Sequence, residues 1–151
     1  MIKEFSDQHR FLSNFWPSEI HLFGRMYPTV EHFYQAMKAT TTADHELVRA
    51  AGSAKEAKRI AKNIKLRDDW DVVKFAIMRE GLLHKFAIPQ LREKLLNTGI
   101  KKLVEGNYWH DNTWGDCSCP KCRNIYGTNM LGALLMSIRS EIILEKLRNL
   151  R

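Results

Sequence analysis

Glu31, Gln35 and Lys38 are spaced to share one side of a helix. At 100° per residue Gln35 falls about 40° from Glu31 and Lys38 about 20° to its other side, while Val30, Phe33, Tyr34 and Met37 gather at roughly 200–300°. This polar stripe has two readings. On a solvated surface it is an ordinary amphipathic face pairing Glu with Lys. In a cleft, Glu31 is a carboxylate able to orient water or stabilise a developing cation. His32, on the flank between the two faces, reads as a hydrogen-bonded packing residue.

A second concentration of chemistry runs from Trp109 to Asp116, with two indoles, His110, Asp111 and Asp116 in eight residues. A loop tryptophan either plugs the core or stacks on a flat ligand such as a nucleobase. Gly115 allows close backbone approach, and Asp116 is then a second carboxylate or an acceptor for a ribose hydroxyl. Cys117, Cys119 and Cys122 follow in C-x-C-x-x-C order, and with His110 they offer a zinc donor set. C-x-C crowds two thiolates, so three free thiols are the alternative. Gly127 to Gly132 opens a final helix whose N–H groups favour an anion, a weak signal as a lone glycine motif. There is no Walker A sequence, no G-x-G-x-x-G, no G-x-S-x-G and no H-E-x-x-H.

The elements that position these residues are mostly helical. Ile20 to Met26 alternates polar and apolar residues about Gly24, which predicts a short hairpin. Thr29 can cap a helix over Val30 to Ala39. Asp44 to Ala51 is a second helix, stopped at Gly52, and Ser53-Ala54-Lys55-Glu56 is a capping-box pattern that starts a third. Asp68 or Asp69 can cap a longer helix from Trp70 to Phe86, with Val72, Phe75, Ala76, Leu83 and Phe86 as its apolar row and Val73 and Ile77 as a second. Pro89 starts a helix that ends before Gly99. Lys102 to Glu105 reads as a short strand, and Gly106 to Gly127 as a long functional loop. Leu131, Leu134, Leu135, Ile138 and Ile142 mark one face of a closing helix from Asn129 to Leu150.

The chain has 151 residues, 44% of them apolar, which suits one domain with a core and excludes a disordered or fibrous chain. Lys plus Arg outnumber Asp plus Glu by 24 to 17, a formal charge of +7 that favours phosphate-bearing partners or simply a solvated basic surface. No apolar run approaches the ~18 residues of a spanning helix, so no membrane partner is expected. The N-terminus lacks a secretory h-region, and three crowded cysteines argue against a disulfide framework, so a reducing cytoplasmic setting is expected.

In order along the chain stand Leu12-Ser13-Asn14-Phe15, Tyr27-Pro28-Thr29-Val30-Glu31-His32-Phe33-Tyr34-Gln35-Ala36-Met37-Lys38, Trp114-Gly115-Asp116, and Gly127-Thr128-Asn129-Met130-Leu131-Gly132-Ala133-Leu134-Leu135-Met136 with Arg139. This combination resembles the YbiA-like N-glycosidases, the NADAR family, over nearly the whole chain. The resemblance implies a mainly α single-domain orthogonal helix bundle with a small β-hairpin, spanning 1–151. It also implies hydrolysis of the bond between a ribose and a base or amine. The substrates it brings are phosphorylated ribosylaminopyrimidine intermediates of riboflavin synthesis, or ADP-ribose on guanine, free or in nucleic acid. Glu31 matches the family's catalytic glutamate. Asn14, Lys38, Trp114, Asp116 and Asn129 match other motif positions around the pocket, and Arg59 falls where the family tends to carry a basic residue. After Asp116, simpler members are Gly-rich where this chain has its cysteine cluster.

The mechanism expected from this reading is dissociative. Glu31 stabilises an oxocarbenium-like ribose and directs water to C1, with Asp116 as the second catalytic candidate. Trp114 stacks on the leaving base, Asn14 or Asp116 holds the sugar or base edge, Lys38 and Arg59 meet phosphate, and Asn129 contributes to binding. No cofactor is required, and zinc has at most a structural place. The competing reading is a nucleic-acid or ADP-ribose binding module without catalysis.

Overall fold

The computed structural model describes residues 1–150. It is mainly helical, with six α-helices, two short 3-10 segments and two two-stranded sheets among the described residues. Two compact units divide the chain, one formed by Asn14–Ile88 and the other by Met1–Ser13 with the chain from Pro89 onward.

In the Asn14–Ile88 unit the hairpin expected about Gly24 is present. Strands β1 (Ile20–Leu22) and β2 (Arg25–Tyr27) pair antiparallel, Ile20 opposite Tyr27. Phe23 and Gly24 both have positive φ, 52° and 75°, the backbone that a two-residue hairpin turn needs to match strand twist. Helix α1 (Val30–Ala36) follows, with Thr29 Oγ1 accepting from the His32 N–H at 3.1 Å, and it stops three residues short of the expected Ala39. All seven α1 residues are buried, because the helix packs against α2 (Thr42–Arg49), α3 (Ala54–Ala61) and α4 (Trp70–Lys85) at once. Ala54, Ala57 and Ala61 give α3 its small buried face. The Ser53–Glu56 cap is a variant of the expected box: Ser53 Oγ accepts from Glu56 N–H, but Glu56 Oε2 accepts from Gly52 N–H at 3.0 Å, one residue earlier than the reciprocal bond.

Helix α4 departs from its sequence reading in two respects. Asp69 occupies its N-cap without a side-chain cap bond, because the carboxylate instead forms a two-point pair with Arg67 at 2.6 and 3.0 Å. Its buried row matches the expected ones only at Ile77 and Phe86: Val72 is 81% exposed, whereas Trp70, Met78, Gly81, Leu82 and Lys85 are also inside. Gly81 explains the rotation. A Cβ there would sit 2.9 Å from Phe33 Cδ1 and 3.2 Å from Val30 Cγ1, so the glycine is where α1 and α4 meet most closely.

The other unit begins with a 3-10 segment over Asp7–Leu12, which hydrophobic periodicity did not mark. The expected strand at Lys102 to Glu105 is reduced to a single bridge between Leu103 and Ile2. Helix α5 (Pro89–Leu96) buries Leu91 and Leu95, and α6 (Met130–Arg148) buries Leu131, Leu135, Ile138 and Ile142. Arg92–Glu145 at 2.7 Å and Lys146–Glu93 at 3.4 Å tie α5 to α6. The long loop between them holds a parallel pair, β3 (Gly106–Asn107) and β4 (Asp116–Cys117), and a 3-10 turn over Pro120–Cys122. Gly115 is needed before β4: a Cβ would lie 2.2 Å from the Glu105 carbonyl oxygen.

Candidate active site

Helix α1 carries more buried polarity than a seven-residue helix ordinarily does. Glu31 is 6% exposed, His32 1% and Gln35 4%. Taking such groups out of water is costly unless partners meet them, so each demands a reason. His32 has a structural one: its Nδ1 lies 2.8 Å from Thr29 Oγ1 and its Nε2 2.9 Å from the Ala51 carbonyl, which locks the ring between the start of α1 and the end of α2.

Glu31 and Gln35 are different. One turn apart, they face each other, and Gln35 Nε2 donates to Glu31 Oε1 at 2.8 Å, fixing the carboxylate. The Glu31 backbone N–H donates to the Asn14 carbonyl at 3.1 Å, anchoring the Asn14 loop to the first turn of the helix. Asn14 is buried, and its Nδ2 donates to the soft acceptor Met78 Sδ at 3.3 Å. Asn14 Oδ1 and Gln35 Oε1 are buried yet have no hydrogen-bond partner among the described residues. Two acceptors, one on Glu31's hydrogen-bond partner and one on the loop that meets its backbone, are thus left without a donor from the described residues.

Lys38 follows on the same face. Its ammonium sits 5.4 Å from the Tyr34 ring centre and 5.5 Å from that of Trp70, a cation held between aromatic faces. Burial pushes its pKa down, Glu31 opposes that shift, and Lys58, Lys62 and Lys74 add to it. A half-buried ammonium crowded by other ammoniums has an electrostatic need for an anion. Lys58 of α3 and Lys62 at its C-cap, a turn apart, were not singled out from the sequence; their i, i+4 spacing was the available signal. Arg59, the basic residue taken from the family resemblance, is exposed and pairs with Glu56 of its own helix at 3.5 Å.

The remaining candidates lie in the other unit. Trp114 is half-buried; its backbone N–H donates to Asp111 Oδ1 at 2.8 Å and its carbonyl accepts from Leu131 N–H, which ties the loop to α6. Asp116 Oδ1 accepts from Gly127 N–H at 2.9 Å. Asn129 takes the left-handed conformation (φ 49°) at the α6 N-cap, with both ends of its amide engaged by backbone: Nδ2 donates to Leu103 O and Oδ1 accepts from Glu105 N–H, each at 2.9 Å. That side chain holds a junction rather than presenting a free amide. In the same loop His110, Cys117, Cys119 and Cys122 converge, their ligand atoms all within 4.8 Å of one another.

The mainly helical fold agrees with comparison to known proteins. The NADAR domain model matches residues 2–143. An N-glycosidase of Nostoc punctiforme is 43% identical over 136 residues, covering 86% of this chain and 83% of that protein. The solution structure of Escherichia coli YbiA superposes with a TM-score of 0.82 at 35% identity, covering 97% of this chain and 89% of that one. A riboflavin biosynthesis protein of Vibrio vulnificus is 34% identical over 139 residues, which make up 36% of its length. The chain belongs to the NADAR domain family.

Proposed function

We propose that the bond cut by this hydrolase of N-glycosyl bonds joins C1 of a phosphorylated ribose to the nitrogen of a base or amine. The observation that carries the reading is the α1 face itself: a buried carboxylate braced by Gln35, beside two orphaned acceptors, and two turns from a lysine on which Glu31 is the one anion set against three neighbouring lysines. As the C1–N bond lengthens, positive charge grows on the ribose ring, and the fixed Glu31 carboxylate stabilises it without having to reorganise. Glu31 then directs a water to C1; the oxygen forms the new bond, and the water's proton goes by way of the carboxylate to the departing nitrogen. Asn14 Oδ1 and Gln35 Oε1 accept from sugar hydroxyls or the amino groups of the base. Lys38, with Lys58 and Lys62, meets the phosphate. No cofactor enters this chemistry.

Trp114 and Asp116, in the other unit, keep the roles their side chains and the family resemblance give them, base stacking and a hydroxyl acceptor or second carboxylate. Asn129 serves as a positioning residue through its backbone bonds. Arg59 is assigned to phosphate only as an outer, exposed cation. The family match runs without a break from 2 to 143, and we treat 1–151 as one catalytic domain. No helix among the described residues is long and apolar enough to cross a membrane. Three cysteines without a disulfide suit a reducing cytoplasm.

Between substrate classes, the riboflavin relatives favour a ribosylaminopyrimidine phosphate. ADP-ribose on guanine is the second reading, favoured by Tyr108, Trp109 and Tyr126, exposed by 63, 58 and 97%, with exposed Lys121 and Arg123 in the same stretch of chain, residue types suited to nucleic acid. Mass spectrometry of released base and sugar, after incubation with ribosylaminouracil phosphate and separately with an ADP-ribosylguanine oligonucleotide, tests both. Product from the first is expected. Product from the second alone transfers the assignment, and product from neither, with folded protein, overturns the ribosyl reading.

A further inference from the structure

We infer that His110, Cys117, Cys119 and Cys122 form a closed, tetrahedral zinc site that holds the loop from Asn107 to Cys122 in shape. The site lies in the loop that also carries Trp114 and Asp116, and its four ligand atoms all lie within 4.8 Å of one another. His110 Nδ1 lies 3.2 Å from Cys119 Sγ and 3.4 Å from Cys122 Sγ. A zinc tetrahedron with Zn–S about 2.3 Å and Zn–N about 2.0–2.1 Å places its ligand atoms roughly 3.6–3.8 Å apart, so these two pairs must open slightly and the widest, at up to 4.8 Å, must draw in to admit the ion.

The surroundings are those of a thiolate site. Sulfurs carrying negative charge need N–H donors, and Cys117 Sγ accepts from the backbone N–H groups of His110 and Cys119 at 3.4 and 3.5 Å, while Cys122 Sγ accepts from Asn112 Nδ2 at 3.3 Å. Asn112 is itself fixed, its Oδ1 accepting from Cys117 N–H at 3.0 Å. Cys119-Pro120-Lys121-Cys122 turns through one 3-10 step, with Cys122 N–H donating to the Cys119 carbonyl at 3.0 Å, which brings the two sulfurs to one side. His110 adopts φ 69°, a left-handed conformation disfavoured for a side-chain-bearing residue, and this geometry delivers both its N–H and its ring to the sulfurs. The three cysteines are buried, at 4, 8 and 5% exposure, and pack on each other rather than into the main core.

Three thiolates and an imidazole in a closed shell are soft and borderline donors, which select zinc over the hard cations. Four protein ligands leave no open position for water or substrate, so the metal is structural. The crowding of C-x-C, which set zinc against free thiols in the sequence, is relieved by β4: Cys117 pairs in the strand and Cys119 lies beyond it, at the start of the next turn.

Metal analysis of the full chain, purified without chelator, should return one zinc per chain that survives dialysis. All three cysteines should resist a thiol reagent in the native protein and react once a chelator is added. Cobalt reconstitution should give the intense visible bands of a tetrahedral site together with sulfur-to-metal charge transfer. Cys122→Ser should retain at least about tenfold less metal, and Ser118→Ala, an exposed neighbour, should retain it all. Native protein with negligible zinc and reactive thiols would overturn the site, as would thiols shielded without metal, a six-coordinate cobalt spectrum, or a disulfide in the unreduced mass. Because the metal and thiol measurements use unmutated protein, they stand even if a cysteine variant fails to fold.

Discussion

At the scale of single residues, the stripe of Glu31, Gln35 and Lys38 was legible from spacing, but its meaning was not. The same periodicity describes a solvated face, and only burial turns the pair into a braced carboxylate. Gln35→Met, nearly isosteric, should lower kcat about tenfold, since the hydrogen bond it gives the charged Glu31 contributes about 1.5–3 kcal/mol, and should raise KM by a smaller factor through loss of the Oε1 acceptor. Steady-state kinetics separate the two constants. Lys38→Met should do the reverse, raising KM about tenfold or more for the phosphorylated substrate. The folded protein should not lose thermal stability, because burial and three neighbouring lysines already disfavour that charge. A melting temperature unchanged or higher, beside a raised KM, is the expected pair of results. Asn129 shows the limit of motif reading: its place in the Gly127 to Gly132 run was legible, but not the backbone bonds that occupy its amide.

At the scale of elements, caps and stops at Thr29, Ser53, Pro89 and Gly99 were legible because each acts through its own backbone neighbours. The α4 face was misread because periodicity cannot see that Gly81 draws the helix onto Val30 and Phe33, leaving Val72 in solvent. Gly81→Ala should therefore destabilise the protein by about 1–3 kcal/mol, the usual cost of overpacking, and a urea midpoint lowered at constant slope would show it. The β2–α2 contact sets an acid limit. His45 Nε2 lies 2.7 Å from Tyr27 Oη, and burial, then Arg25, push the His45 pKa below 6.5. The unfolded chain thus binds the proton more readily, so stability is lost as pH falls from the unfolded value of 6.5 toward the lower folded one. His45→Gln should flatten that acid slope in thermal melts between pH 7 and 5.

At the scale of the whole molecule, the family was legible because its motifs fall in order across nearly the full chain, and no single one sufficed. The +7 charge indicated anionic partners without locating them; the structure places part of it around Lys38, on the face that carries Glu31. The cysteines with His110 were legible as a donor set, while the left-handed backbone at His110 that brings its ring to them is announced by no pattern. The proposed catalysis depends first on Glu31, and Glu31→Gln tests it most directly, since the amide still accepts from Gln35 and preserves the fold. The decisive measurement is the single-turnover rate of base release by wild-type and Glu31→Gln protein on the substrate identified by mass spectrometry. A loss of about 10²-fold or more with an unchanged melting temperature is expected; near-normal release from the folded variant would remove Glu31 from the chemistry.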